Sequence, residues 1–247
     1  MIVCFILTVV APFGAPAESK AFEEAVKLIE KGETKLDLSA LDKAEKILLR
    51  ECEGPSRNSL CEYYLARLYI AEYSYFSQVN RNREKASASL AKAEQYARKA
   101  VSRRPNDARA HVIMGKIYQI QLSQYPISSL SKAVGARHPV VEEYTQALKL
   151  DPQNGEAEMG LGIYYLTIPQ FLGGDGHRAR NHFKRAAELM PHDPEPLVWV
   201  AISYRQEGRL ADARKYLNKA RKIAPQDPFV KAEQARLRRA EKQSTGK

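Results

Sequence analysis

The sequence is poor in the residue patterns that carry chemistry. It contains no G-x-S-x-G elbow, no G-x-x-x-x-G-K-[ST] phosphate loop and no G-x-G-x-x-G fingerprint, so the common nucleophile, phosphate and dinucleotide devices are missing. The nearest run, Gly173-Gly174-Asp175-Gly176, lacks the flanking strand and lysine such sites need, and has a local explanation instead. Its glycines permit a tight turn and Asp175 can cap a following helix. Five histidines, His111, His138, His177, His182 and His192, show no metal-ligand spacing, and they are expected to face solvent. The adjacent carboxylates Glu23-Glu24 and Glu142-Glu143 diverge on a helix and are expected to be solvated rather than to work as an acid and base pair. No enzyme, metal or cofactor is expected.

Charge is lacking altogether from Met1 to Ala17, where an apolar run from Ile2 to Ala11 leads to Ala15-Pro16-Ala17. That pattern resembles a secretory signal with an A-x-A cleavage site, although the positive n-region is missing, which leaves an N-terminal anchor as the alternative. Pro12, Gly14 and Pro16 interrupt the run and argue against a full membrane span. The expected location is periplasmic or secreted, and cytoplasmic if the segment is not a signal. Cysteine is scarce too: beyond Cys4, only Cys52 and Cys61 occur, flanking the turn-rich stretch Glu53 to Asn58. They are a candidate disulfide in an oxidising compartment, or two part-buried thiols at a helix junction.

Positive charge is plentiful: 39 Lys and Arg against 29 Asp and Glu give a formal net charge of +10. Much of it falls in the last third, from Arg205 through Lys222 and again from Lys231 to Lys242. Such a face could attract nucleic acid or anionic lipid headgroups through charge alone. After Tyr216 the only aromatic is Phe229, so stacking on bases has little to use, and nucleic acid is disfavoured as a partner. The alternative is a solvated basic surface.

The organising feature is a repeat. Between Pro194 and Asp227, Leu197, Val200, Ala201 and Tyr204 are followed by Gly208, and then by Ala213, Leu217, Ala220 and Pro225. Small residues let two helices approach, large ones fill the space between layers, Gly208 turns the chain and Pro225 stops the second helix. Three similar units lie upstream, at 59–107, 108–154 and 155–193, and 18–58 reads as a degenerate first unit. In that unit, helices are expected over Ser19–Lys31, stopped by Gly32, and over Leu41–Cys52. The second, third and fourth units carry extra residues between their two helices: around Tyr73 to Arg83, from Tyr125 to Pro139, and over Ile168 to Leu172. Residues 228–247 read as a basic closing helix and tail.

This pattern resembles the tetratricopeptide repeat (TPR) family. The resemblance implies an all-α, TPR-type α-solenoid of helix-turn-helix repeats with long intra-repeat insertions, acting as a scaffold for protein interactions. It also implies a groove lined by first-helix positions. Carried onto this sequence, those are Tyr63, Arg67 and Ile70; Arg109, Val112, Lys116 and Gln119; Met159, Ile163 and Leu166; and Val198, Ile202 and Arg205. The groove is expected to be basic toward its N-terminal half and apolar toward its C-terminal half. That suits a protein or extended peptide partner, or a small amphipathic acid whose carboxylate meets Arg67 or Lys116. For Ile163, Leu166 and Ile202 simple core packing is an equal reading. Met159 and Ile163 stand where the clamp for acidic chaperone tails needs polar groups, so that partner is not expected. The run Leu161 to Tyr165, Ile168-Pro169, Gly173-Gly174-Asp175, Ala179, His182-Phe183 and Ala186 also resembles the TatT-like T-component subunits of TRAP transporters, exported proteins that assist a solute-binding partner. That likeness implies a transport accessory whose partner is a periplasmic solute-binding protein, with membrane attachment only through an uncleaved N-terminus.

Overall fold

The computed structural model describes residues 19–53, 60–124 and 138–245. The described chain is helical throughout and falls into two compact units, divided between Ser89 and Leu90. The expected signal or anchor, the turn at 54–59 and most of the insertion beginning at Tyr125 lie outside the described residues.

The first unit contains α1 (Lys20–Lys35), α2 (Leu38–Glu53), α3 (Cys61–Gln78) and the beginning of α4 (Arg83–Arg103). Ser19 starts α1 by accepting the Phe22 amide on its hydroxyl at 3.1 Å, which satisfies one of the otherwise orphaned first-turn donors. Gly32 does not stop this helix, contrary to the sequence reading. The helix runs on to Lys35 and ends where Leu36 turns left-handed at φ 50°. Gly32 is instead a point of close approach, since a Cβ there would stand 2.2 Å from Leu41 Cδ2 on α2. Phe22, Ala25, Ile29, Leu41, Ala44, Leu48, Leu65 and Leu68 form the buried interior of this unit. A disulfide joins Cys52 at the end of α2 to Cys61 at the start of α3, with Cα atoms 5.7 Å apart.

The extra residues of the second repeat form no protruding loop. Tyr73, Tyr75 and Phe76 continue α3, Arg81 sits in the connecting turn with φ 53°, and Arg83 begins α4. No glycine or proline occurs between Cys61 and Arg103, so apart from the turn at Arg81 the added length is taken up as extensions of both helices. The buried Glu72 that results is bonded by Ser89 Oγ at 3.0 Å, as a buried carboxylate requires.

The second unit contains the rest of α4, then α5 (Ala108–Ser123), α6 (Pro139–Leu150), α7 (Gly155–Thr167), α8 (Gly176–Leu189), α9 (Glu195–Gln206), α10 (Leu210–Ile223) and α11 (Pro228–Thr245). The pairs α5–α6, α7–α8 and α9–α10 pack as successive helical hairpins, and α11 packs on α9 and α10. Asp107, Asn154 and Asp175 cap α5, α7 and α8 through their side chains. Tyr144, Phe183 and Leu217, one from each second helix, are buried in a continuous core. The fit is tight where helices cross: a Cβ on Gly160 would lie 2.1 Å from the Tyr144 ring, and one on Gly162 would lie 2.5 Å from Phe183.

The insertion of the fourth repeat is a short 3-10 turn, Gln170–Leu172, closed by Gly173 at φ 97°. Gly174 lies so near the backbone that a Cβ would reach 1.7 Å from the Ile168 carbonyl oxygen. Ile168 folds inward while Phe171 is 78% exposed.

Three of the five histidines do not face solvent as expected. His111 is buried, with Nδ1 2.7 Å from Glu143 and Nε2 2.8 Å from the Pro105 carbonyl. This also removes Glu143 from the solvated class. His138 is buried at the start of α6, where its Nδ1 accepts the Val140 amide at 3.2 Å. Burial pushes its pKa down, which keeps the ring neutral and able to accept. His182 bonds Glu158 at 2.6 Å and stacks on Tyr165. Helical spacing puts His111 and His182 on inward faces, and His138 is the cap of α6; at all three a ring nitrogen is bonded.

Candidate functional site

The predicted groove residues separate by burial and by partner. In the first unit Tyr63, Arg67 and Ile70 are half-buried. Arg67 is held by a two-point bond to Glu33, its Nε at 3.0 Å, and lies over the Tyr64 ring. Tyr63 packs edge-on against Tyr64.

In the second unit Val112, Val198 and Ile202 belong to the buried core, so they present no surface to a partner. Arg109 is exposed and bound to Asp107 at 3.0 Å. Arg205 lies 2.5 Å from Glu233, a carboxylate with no solvent exposure that also receives Arg236 at 3.2 Å. Leu166 packs partly buried against the core. The expected basic half of the groove is therefore corrected. Arg67, Lys116, Arg109 and Arg205 all face carboxylates of the same chain, with which an anionic ligand would have to compete.

Four of the predicted residues do converge. Lys116 and Gln119 of α5 and Met159 and Ile163 of α7 line one cavity of about 280 Å³. Tyr144 and Gly160 form its floor, while Glu156, Met190, Asp193 and Glu195 complete the rim and wall. The repeat explains why they meet: successive first helices lie side by side, and residues three or four apart on each share a face.

The polar groups of the floor bond one another. Tyr144 donates its hydroxyl to Gln119 Oε1 at 3.1 Å, and Gln119 Nε2 reaches the Gly160 carbonyl at 3.4 Å. Complete burial pushes the Tyr144 pKa up, so the phenol stays a donor. On the rim, Lys116 Nζ is 2.7 Å from Glu156.

Asp193 and Glu195 were not among the residues read from the sequence. Asp193 accepts the Glu195 amide at 2.8 Å and Glu195 accepts the Trp199 indole N–H at 3.1 Å. Among the described residues no lysine or arginine comes within 4.0 Å of either carboxylate. Glu195 is exposed over part of its surface, and partial desolvation of its carboxyl pushes its pKa up, with the Trp199 bond and Lys116 opposing the effect and Asp193 adding to it. The signal that could have exposed them was their position in the connection just before and at the start of a first helix, which the repeat turns toward the preceding first helices.

Among the described residues no group of three or more His, Cys, Asp or Glu could hold a metal, and no helix is long and apolar enough to cross a membrane.

Residues 171–237 match the model of the tetratricopeptide repeat family. The TPR protein TTC0263 of Thermus thermophilus is 18% identical, covers 86% of this chain and 98% of its own, and superposes with a TM-score of 0.62. That likeness shows the fold, a TPR-type α-solenoid. MamA (16% identity, 79% of this chain and 93% of its own, TM-score 0.47) and YrrB, described as a TPR protein with an unusual peptide-binding site (15%, 86% and 93%, TM-score 0.45), are more distant in structure. A comparison with curated proteins finds no sequence match.

Proposed function

We propose that this protein is an exported, non-catalytic scaffold that holds a segment of a partner protein against the first-helix face of its second unit. The observation that carries the reading is the convergence of Lys116, Gln119, Met159 and Ile163 on one cavity. It offers an apolar wall for affinity and polar groups for orientation, the usual division of labour in peptide recognition. Export is supported by the Cys52–Cys61 disulfide, a bond that persists in oxidising compartments, and by the signal-like start of the sequence. The likeness of 161–186 to TRAP-transporter T-components makes a periplasmic solute-binding protein the first partner to test.

Charge-driven binding to nucleic acid or lipid is the weaker reading. Of the basic cluster, Arg205, Arg209, Arg214 and Arg236 are each paired with an acid of the same chain.

A photoreactive amino acid placed at Ile163, with a second placed at exposed Arg238 as control, tests the site in the native cell. One discrete adduct specific to position 163 supports it; no adduct, or the same adduct at both positions, overturns it. Sequencing the mature N-terminus from an envelope fraction tests export, and an intact Met1 on a cytoplasmic pool refutes it.

A further inference from the structure

We infer that the cavity between α5, α7 and the start of α9 is a receptor for a positively charged side chain, an aliphatic stem ending in an ammonium or guanidinium, carried by the partner segment. The inference rests on the reading of this face as the partner-binding face and names the chemistry it selects. The charge there opposes that of the whole chain: in a protein of net charge +10, the cavity carries three carboxylates and one ammonium. The ammonium of Lys116 is already bonded to Glu156. Gln119 and the Tyr144 hydroxyl bond each other, and Gln119 also reaches the Gly160 carbonyl. An incoming anion would therefore meet committed donors and the unneutralised Asp193 and Glu195.

A cation finds the reverse. Met159, Ile163 and Met190 supply an apolar wall for the stem, and methionine adapts its shape to irregular ligands. The two carboxylates that have no ion-pair partner within 4.0 Å among the described residues receive the head. An arriving cation favours the charged form of Glu195, an exposed residue whose pKa is pushed up by partial desolvation and by Asp193. The sign is opposite to the acidic ligand that the sequence led us to expect, because the carboxylates that decide it lie outside the first-helix positions of the preceding repeats.

Methionine methyl groups report on this directly. With 13C-labelled methionine, Met159 and Met190 sit on the cavity wall, whereas Met114 is buried away from it and serves as control. Titration with n-pentylammonium is expected to shift the Met159 and Met190 signals saturably and leave Met114 unmoved. n-Pentanol and pentanoate should bind at least roughly tenfold more weakly, the share a charge-assisted contact contributes at a half-open site. Asp193→Asn keeps a side-chain acceptor for the Glu195 amide while removing charge, and Glu195→Gln keeps an acceptor for Trp199. Together they should abolish the preference for the cation without moving the melting temperature downward. Pentanoate binding as tightly as pentylammonium, or a preference that survives in the double variant, would overturn the inference. The two readings fail separately. A crosslinked partner at Ile163 with no ammonium preference sinks only this one, whereas cation binding with no crosslinked partner sinks the scaffold reading.

Discussion

Gly160→Ala sets two physical effects against each other. Alanine is favoured over glycine inside a helix by about 1 kcal/mol, so propensity alone makes the variant more stable. The structure reverses the sign. The new methyl would lie 2.1 Å from Tyr144 Cζ and 2.4 Å from Cε2, far inside van der Waals contact. The ring cannot swing away, because it is fully buried and its other face lies against Gly115, where a Cβ would be 2.9 Å from Cε1. Overpacking at a rigid site costs up to about 3 kcal/mol, leaving a net loss of about 2 kcal/mol. For a body the size of the second unit this lowers the melting temperature by roughly 4–8 °C, read by circular dichroism alongside urea midpoints. Replacing Tyr144 with leucine in both backgrounds closes a double-mutant cycle. The Gly160→Ala penalty should largely disappear once the ring is gone, which is a strong coupling. A raised melting temperature for Gly160→Ala, or strictly additive effects, would refute the argument.

Other perturbations follow from the same packing and charge. Phe183→Ala empties a fully buried site against Gly162 and should cost about 3–5 kcal/mol in a denaturation midpoint. Replacing Cys52 and Cys61 with alanine, or reducing the bond they form across nine positions, releases a short loop worth about 2.6 kcal/mol in the chain-entropy account. Equal stability of oxidised and reduced protein would contradict it. Asp175→Ala removes the side chain that accepts the Arg178 amide at 2.9 Å and should cost about 1 kcal/mol. That amide and its neighbours hold the Asp175 pKa below its ordinary value. The stability it contributes is present above the unfolded pKa and is lost as pH falls through the folded one, so the difference between wild type and variant should shrink in acid. Glu195 has the opposite sign: its folded pKa is raised, so wild type loses stability as pH climbs from the unfolded to the folded value. Glu195→Gln should flatten that slope in melts taken upward in pH from the ordinary glutamate pKa.

The helices and their pairing were legible because the repeat constrains them at several levels together. Val200, Ala201, Tyr204, Ala213, Leu217 and Ala220 fall on inward faces at helical spacing, and all are buried. Gly208 adopts φ 75° with open space around it, the conformation glycine tolerates best. Gly32 misled for a physical reason. A helix-ending glycine and a glycine at a helix crossing look alike in sequence, and only the position of Leu41 distinguishes them. The groove was half legible. Spacing identified which side chains share a face, but whether Val198 is core and Ile163 is accessible depends on the neighbouring repeat. The partners that neutralise Arg67, Lys116 and Arg205 lie 34, 40 and 28 positions away, roughly one repeat along the chain. Cations read one at a time therefore looked free.

The acidic cavity has a structural cause that needs no ligand, and that cause determines which experiment is informative. Glu156 and Glu195 lie in the first turns of α7 and α9, and Asp193 bonds an amide at the start of α9. Acids at these positions are favoured by the helix dipole by about 0.3–1 kcal/mol each. Parallel stacking of first helices brings two such starts to the same side of α5, so carboxylates accumulate there whether or not anything binds. If the dipole were the whole reason, each acid would be better off charged in place, and its removal would destabilise the protein. Glu195 departs from this, since desolvation outweighs the Trp199 bond and raises its pKa. Glu195 is exposed, so solvent screens most of the cost of its charge, and neutralising it should leave stability close to unchanged while taking cation selectivity away. That loss of binding without loss of stability separates a residue kept for a ligand from one kept for a helix end.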